Sequence, residues 1–244
     1  MAKASVPGRT KTRLVPPLTF EEAAACNTAF LRDVADNILA AADRASVAGY
    51  MAFGPPQSEP FFQEHLPREI GLIEAWYPNF GDCLFAAIAQ LLERGHRSAV
   101  VLNSDSPTLP TSLLVETAKV LARPGDRAVL GPAHDGGYYL LGVKAAHRRL
   151  FEDIAWSTEH VARQTQERAA ELGLPIHVLP TWYDVDDVTA LQMLQAELFD
   201  DRSFAPGLWP NQPRHTRTLM QSLTESSDLR GRLAFNDALE GAAE

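Results

Sequence analysis

The chain has 244 residues, 45% of them hydrophobic, enough to bury a full core in one α/β domain with a tail. Its net charge of −9 argues against general nucleic-acid binding, which recruits a dense Lys/Arg surface that this sequence lacks. The longest apolar runs, Ser98 to Leu102 and Tyr138 to Val143, are strand-length and far too short to span a bilayer. Cys26 and Cys83 sit among apolar neighbours, as free thiols do in a reducing compartment. No signal-peptide pattern opens the chain, and a cytoplasmic protein is expected.

The chain opens on a basic segment, Lys3 to Arg13, in which Lys3, Arg9, Lys11 and Arg13 surround Pro7-Gly8. Gly8 permits close backbone approach, and Lys11 and Arg13 stand on alternate positions able to flank a pyrophosphate; a solvated basic terminus is the plainer alternative. Thr19-Phe20-Glu21-Glu22 reads as a capping box that opens a helix through Phe30, Val34 and Leu39 to about Arg44. Ala48 to Phe53 reads as a strand, Gly54-Pro55-Pro56 as a break, Phe61 to Leu66 as a short helix and Ile70 to Trp76 as another strand. Gly81-Asp82 opens a helix closed by Gly95. Ser98 to Leu102 is a continuous apolar run, as a strand covered on both faces requires.

Thr111 to Ala122 is a helix set between Pro110 and Pro124-Gly125, and Arg127 to Leu130 returns as a strand. Tyr138 to Val143 is a further strand. Ser157, with Glu159-His160 behind it, caps a helix to about Leu172, which Gly173 stops. Ile176 to Leu179 is the strand that delivers Asp184 and Asp186, and Asp187 is a plain cap for a helix over Val188 to Phe199. This alternation predicts a three-layer, doubly wound α/β fold with a mostly parallel sheet and ligands at the carboxyl ends of its strands. From about Asp201 the character changes to Pro206, Gly207, Pro210 and Pro213, with a helix expected over Thr224 to Leu239. Residues 201–244 therefore read as an extension to a domain of residues 1–200, an arm for that domain or for a second copy in a homodimer.

Three acidic clusters follow strands: Asp105, Asp135, and Asp184-Val185-Asp186-Asp187. A carboxylate just past a buried strand has given up solvation, so convergence of all three is best explained by a shared divalent cation, Mg2+ or Mn2+. With the basic segment opposite, this points to phosphate chemistry; a capping role for Asp105 is the alternative. In Asp135-Gly136-Gly137-Tyr138-Tyr139 the paired glycines let a ligand lie against backbone and the aromatics offer faces to a sugar or base. A plain turn with at least one tyrosine in the core competes with that reading. His134 reads as a solvent-facing loop residue, and the seven histidines lack zinc spacing. No nucleophile elbow, Walker loop or strand-linked Gly-X-Gly-X-X-Gly is present.

Five motifs appear in a telling order: Ala2 to Leu14, Asn103-Ser104-Asp105-Ser106-Pro107, Gly131 to Leu140, Trp156-Ser157-Thr158 and Asp184-Val185-Asp186. Over about Met1 to Leu198 the chain resembles GT-A-fold transferases of the arsenosugar-biosynthesis or radical-SAM-associated glycosyltransferase type. It is more distantly similar to guanylyltransferases acting on phospholactate or molybdenum cofactor. The resemblance implies that Lys3, Gly8, Lys11 and Arg13 hold nucleotide phosphates, that Asp105 and Asp186 hold the metal, and that Asp184 orients the loop. It also implies that Asp135, Gly136, Gly137 and Tyr138 receive sugar or acceptor. The Asp-X-Asp usual in such folds is here Asn103-Ser104-Asp105, so its first acid is missing.

The implied activity is metal-dependent glycosyl transfer from a nucleotide sugar to a small acceptor, with Asp105, Asp186 and Lys11 as the working residues. Nucleotidyl transfer from a nucleoside triphosphate to a phosphorylated small molecule is the first alternative, and a catalytically degenerate scaffold the second. The resemblance further places Met1 at the end of the relatives' central first strand. A segment upstream, from the C-terminal tail or from a second copy is therefore expected to fill that slot.

Overall fold

In a computed structural model of the chain, residues 1–200, 202–227 and 229–233 are described. Thr19 and Glu22 form the expected capping box at the start of α1 (Phe20–Ala42). Strand β1 (Tyr50–Phe53), helix α2 (Glu59–His65) and strand β2 (Gly71–Glu74) follow, with β1 and β2 paired in parallel. Helix α3 (Phe80–Glu93) is capped by Asn79, whose side chain accepts from the Gly81 N–H at 2.8 Å. Then come β3 (Ala99–Leu102), α4 (Thr111–Leu121), β4 (Ala128–Pro132), β5 (Tyr138–Val143), α5 (Val161–Glu171), β6 (Ile176–Val178) and α6 (Val188–Phe199).

The larger sheet has the order β3-β5-β4-β6. Parallel pairing holds between β4 and β6, whereas β5 runs against both β3 and β4. The reason is connection length: residues 133–137 make a turn, and parallel neighbours need a crossover of a dozen residues or more. The larger sheet is thus mixed, with β5 antiparallel in a fold expected to be mostly parallel. The strands β3, β4 and β5 are apolar on both faces because helices cover both, whereas edge strand β6 carries His177 and a half-exposed Val178. Ala99, Val101, Leu130, Leu141 and Val143 pack with Leu84 and Ile88 of α3 and Ala162 and Ala169 of α5. Val129 and Leu140 face the other way, toward α1, α4 and α6, with Phe30, Leu113, Leu191 and Leu194 in one cluster. This is the three-layer arrangement of a GT-A-like fold.

Between β1 and β3 the two sheets part around a cavity of about 960 Å3, bordered by Tyr50 to Ala52 on one side and Ala99 to Leu102 on the other. Met1 and Ala2 stand at its end. The Ala2 N–H donates to Ala52 O at 2.8 Å, Ala2 bridges Phe53 in parallel, and the Met1 amine reaches Leu102 O at 3.4 Å. Burial lowers the pKa of that amine from its ordinary value, against the pull of Asp105. No other described segment enters the gap between the two strands.

The described part of the extension lies elsewhere, along α1. Helix α7 (Arg214–Ser227) starts at Arg214 rather than Thr224, because its cap comes from a distant residue. Asp33 of α1 accepts the backbone N–H groups of His215 at 2.9 Å and Thr216 at 2.7 Å. Such long-range capping leaves no local signature. Arg232 then clasps Glu22 with two bonds, of 2.8 and 2.9 Å. The end of the helix expected to Leu239 lies outside the described residues. A second local cap also differs from expectation: Ser157 has φ 65°, and α5 begins after His160.

Candidate functional site

The acidic rim is assembled by backbone. Past β3, the Asn103 N–H donates to Tyr139 O at 2.8 Å and the Ser106 hydroxyl to Tyr183 O at 2.8 Å. The Val185 N–H then donates to Asp105 O at 2.8 Å, so the loop after β3 and the loop after β6 are joined. Beneath them Trp182 and Tyr183 are buried and stacked, with the Tyr183 hydroxyl donating to Glu197 at 2.7 Å. Asp105 and Asp186 are thereby fixed side by side. Asp187, next along, caps α6 through the Ala190 N–H at 2.8 Å.

Into this rim comes Lys11. Its backbone sits in the left-handed region at φ 52°, a conformation that non-glycine residues adopt only when surroundings enforce it. Those surroundings are visible: Asn27 and Thr28 of α1 hold the Ser5 hydroxyl at 2.8 and 2.7 Å, and Thr10 closes a turn on Val6 at 3.1 Å. The Lys11 Nζ lies 2.7 Å from Asp105 Oδ1 and 2.7 Å from Asp186 Oδ1, and donates to Val185 O at 2.9 Å. Arg13 Nη2 reaches the other Asp186 oxygen at 2.5 Å.

Burial alone would lower the Lys11 pKa, but Asp105 and Asp186 outweigh it and hold the ammonium above its ordinary value. Burial would likewise raise Asp186, yet Lys11 and then Arg13 keep its carboxyl below the usual range. Asp184 is the contrast. Burial pushes it up to about 7, and Asp135, Asp186 and Asp105 push the same way. The rim therefore carries more carboxylate than Lys11 and Arg13 neutralise, a donor set suited to a further cation.

A cavity of about 490 Å3 opens over this rim, lined by Lys3, Arg9, Lys11, Arg13, Asp105 and Asp186. Lys3 is exposed at its edge, and Gly8, at φ 72°, has nothing within 4 Å of where a Cβ would be, so its glycine serves the turn. Aromatic side chains also line the cavity: Trp76, Tyr77 and Phe80 are 45%, 49% and 49% exposed. Sequence reasoning took Trp76 as the end of a strand and gave the three no functional role, since their exposure is not written in any short stretch of chain.

The turn at 135–137 stands beside the rim. Asp135 is exposed, and its Oδ1 accepts the Gly137 N–H at 2.9 Å. Gly136 has φ 88°, and a Cβ there would lie 2.2 Å from Glu159 O, so packing against the backbone just before α5 already demands glycine. Tyr139 points into the core and donates to Pro180 O at 2.9 Å, while Tyr138 turns the other way onto Trp156. His134 is exposed and meets Phe204 of the extension. Among the described residues, the acid and histidine trio close enough to share an ion is Asp33, Asp36 and His215, which forms the seam between α1 and α7, not the rim.

The sequence profile of one family, described as uncharacterized protein conserved in bacteria (DUF2064), matches residues 37–158, half of the chain. The chain belongs to that family. No curated protein matches it. Among solved structures, a crystal structure named "putative nucleotide-diphospho-sugar transferase", from Desulfovibrio desulfuricans G20, is similar, with a TM-score of 0.78 and 24% identity over 95% of each chain. The likeness is one of fold, and it extends over the helical layers as well as the strands.

Proposed function

We propose that this DUF2064 member is a Mg2+-dependent (or Mn2+-dependent) transferase that grips the diphosphate of a nucleotide sugar and passes the sugar to a small acceptor. One observation carries the reading: a lysine ammonium 2.7 Å from two rim carboxylates, on the floor of a cavity whose other cations are Lys3, Arg9 and Arg13. Acid and base placed so close, yet facing open space, suit a ligand bearing both phosphate and a divalent metal. The name of the similar crystal structure and the GT-A resemblance support the same class.

Asp105 and Asp186 would hold the cation, whose chemistry there is to neutralise charge that builds on the leaving diphosphate. The protein's own part is positioning. Arg13 and Lys3 orient the phosphates from the cavity edge, and Trp76, Tyr77 and Phe80 offer planar faces to the base. The Asp135 turn, with Gly136, Gly137 and Tyr138, lies outside the cavity lining but beside the rim, and would receive sugar and acceptor from there. Asp184 is held within reach of protonation near neutrality by burial and by three carboxylates.

Four cations around one cavity also favour a second reading, nucleotidyl transfer from a triphosphate, since they exceed what a diphosphate needs. Product analysis separates the two. Incubation with nucleotide sugars and acceptors should release nucleoside diphosphate; release of pyrophosphate from nucleoside triphosphates would replace glycosyl by nucleotidyl transfer. Absence of any Mg2+-dependent thermal shift with GDP, UDP or CTP would remove both in favour of a scaffold. A reducing, cytoplasmic setting fits the buried Cys26 and Cys83, the former pushed up to about 12 by burial. Among the described residues no helix is long and apolar enough to cross a membrane.

A further inference from the structure

The Lys11 side chain is 6% exposed, and its Nζ has three protons that meet three oxygens: Asp105 Oδ1, Asp186 Oδ1 and Val185 O. The protein thus satisfies this ammonium completely without any ligand. The Phe30 ring, 5.6 Å away, backs it from the core side. Mg2+ bound to both Oδ1 atoms at about 2.1 Å would have to sit almost where Nζ now sits. Charges of +1 and +2 that close repel strongly, and the shared oxygens cannot serve both with full strength. In that mode, with the metal on both Oδ1 atoms, ammonium and metal exclude each other.

Lys11 has one way to yield without losing its hydrogen bonds. It lines the cavity that also holds Lys3, Arg9 and Arg13, and phosphate oxygens placed there would offer replacement acceptors. With the loop backbone pinned through Ser5 and Thr10, the movement falls to the four-carbon side chain of Lys11.

We propose that Lys11 is a tethered placeholder for the divalent cation, so that the metal enters only with or after the nucleotide phosphates that draw Lys11 away from Asp105 and Asp186. This rests on the metal-dependent reading above and adds an order of binding to it. The carboxylate pair is kept closed to free metal, and the nucleotide itself opens it.

The test is Mn2+ retained by the full chain in equilibrium dialysis, alone and with GDP, UDP or CTP. The wild-type chain should bind Mn2+ alone at least about tenfold more weakly than with a nucleotide that binds. Lys11→Met and Lys11→Gln, with folding checked by circular dichroism, should bind Mn2+ alone at least about tenfold more tightly than wild type. Wild-type affinity for Mn2+ alone that lies within about twofold of the nucleotide-bound value would overturn the proposal, and this comparison needs no variant. So would a folded variant that gains nothing. If no chain retains Mn2+ under any condition, the metal-dependent reading itself has failed, an outcome distinct from the other two.

Discussion

Two acidic clusters in this chain are alike in composition and opposite in use. In the seam between α1 and α7, Asp33 gives its oxygens to two backbone N–H groups, while Asp36 meets Arg214 at 3.0 Å and His215 at 3.1 Å. The contacts that Asp33 and Asp36 make there tie one helix to another. At the rim, Asp105 and Asp186 meet a lysine on the floor of an open cavity, and Asp184 faces three further carboxylates. The seam, moreover, is the cluster with the tighter spacing. Proximity of acids is thus a poor marker of a site; surplus charge beside open space is the better one.

The largest effect should come from breaking the rim. Asp105→Ala should lower metal-dependent turnover by at least about a thousandfold, roughly 4 kcal/mol of transition-state stabilisation, with little loss of fold. Steady-state rates alongside a thermal melt check this, and retained activity would take Asp105 out of the mechanism. The matching change in the seam, Asp33→Ala, should do the reverse. It orphans two N–H groups at a buried helix start, costing about 2 kcal/mol in urea unfolding, while nucleotide binding stays as it was.

Trp76→Ala probes the aromatic wall between these extremes. Nucleotide affinity should fall about tenfold, roughly 1.4 kcal/mol, in a calorimetric titration with unchanged melting temperature. An unchanged affinity would move the base away from that wall.

The smallest expected effect is a pH dependence at the Arg232 clasp. Burial would raise Glu22, but Arg232, the Thr19 N–H and Ser227 outweigh it and lower its pKa in the folded chain. A lowered folded pKa stabilises above the unfolded value of about 4.5 and loses that contribution as pH falls through the folded value. Screening by solvent limits it to less than about 1 kcal/mol. Melting temperatures between pH 3 and 6 should therefore fall slightly less steeply for Glu22→Gln than for wild type. Identical slopes would mean that the clasp contributes nothing through charge.

Much of this fold was legible because its signals are local. The Thr19–Glu22 capping box, the Asp187 cap and the apolar runs at Ser98 to Leu102 and Tyr138 to Val143 depend on residues a few positions apart. The start of α7 was not legible, since its cap is Asp33, far away in the chain. Nor was the direction of β5 inferred, although the short turn before it already excluded a parallel return. The rim residues Asp105 and Asp186 were named from their positions after strands. Trp76, Tyr77 and Phe80 were not, because exposure is set by neighbours that no short window contains.

What the sequence determined alone is the set of elements and the chemical types at strand ends, because hydrogen-bond periodicity and capping act over one or two turns of chain. What only tertiary structure decided is which charges meet. Lys11 and Asp186 stand at opposite ends of the domain in sequence, and the bond from Val185 N–H to Asp105 O holds the two acids where the lysine bridges them. Electrostatic pairing depends on distance in space, and that distance is created by packing rather than by the order of residues.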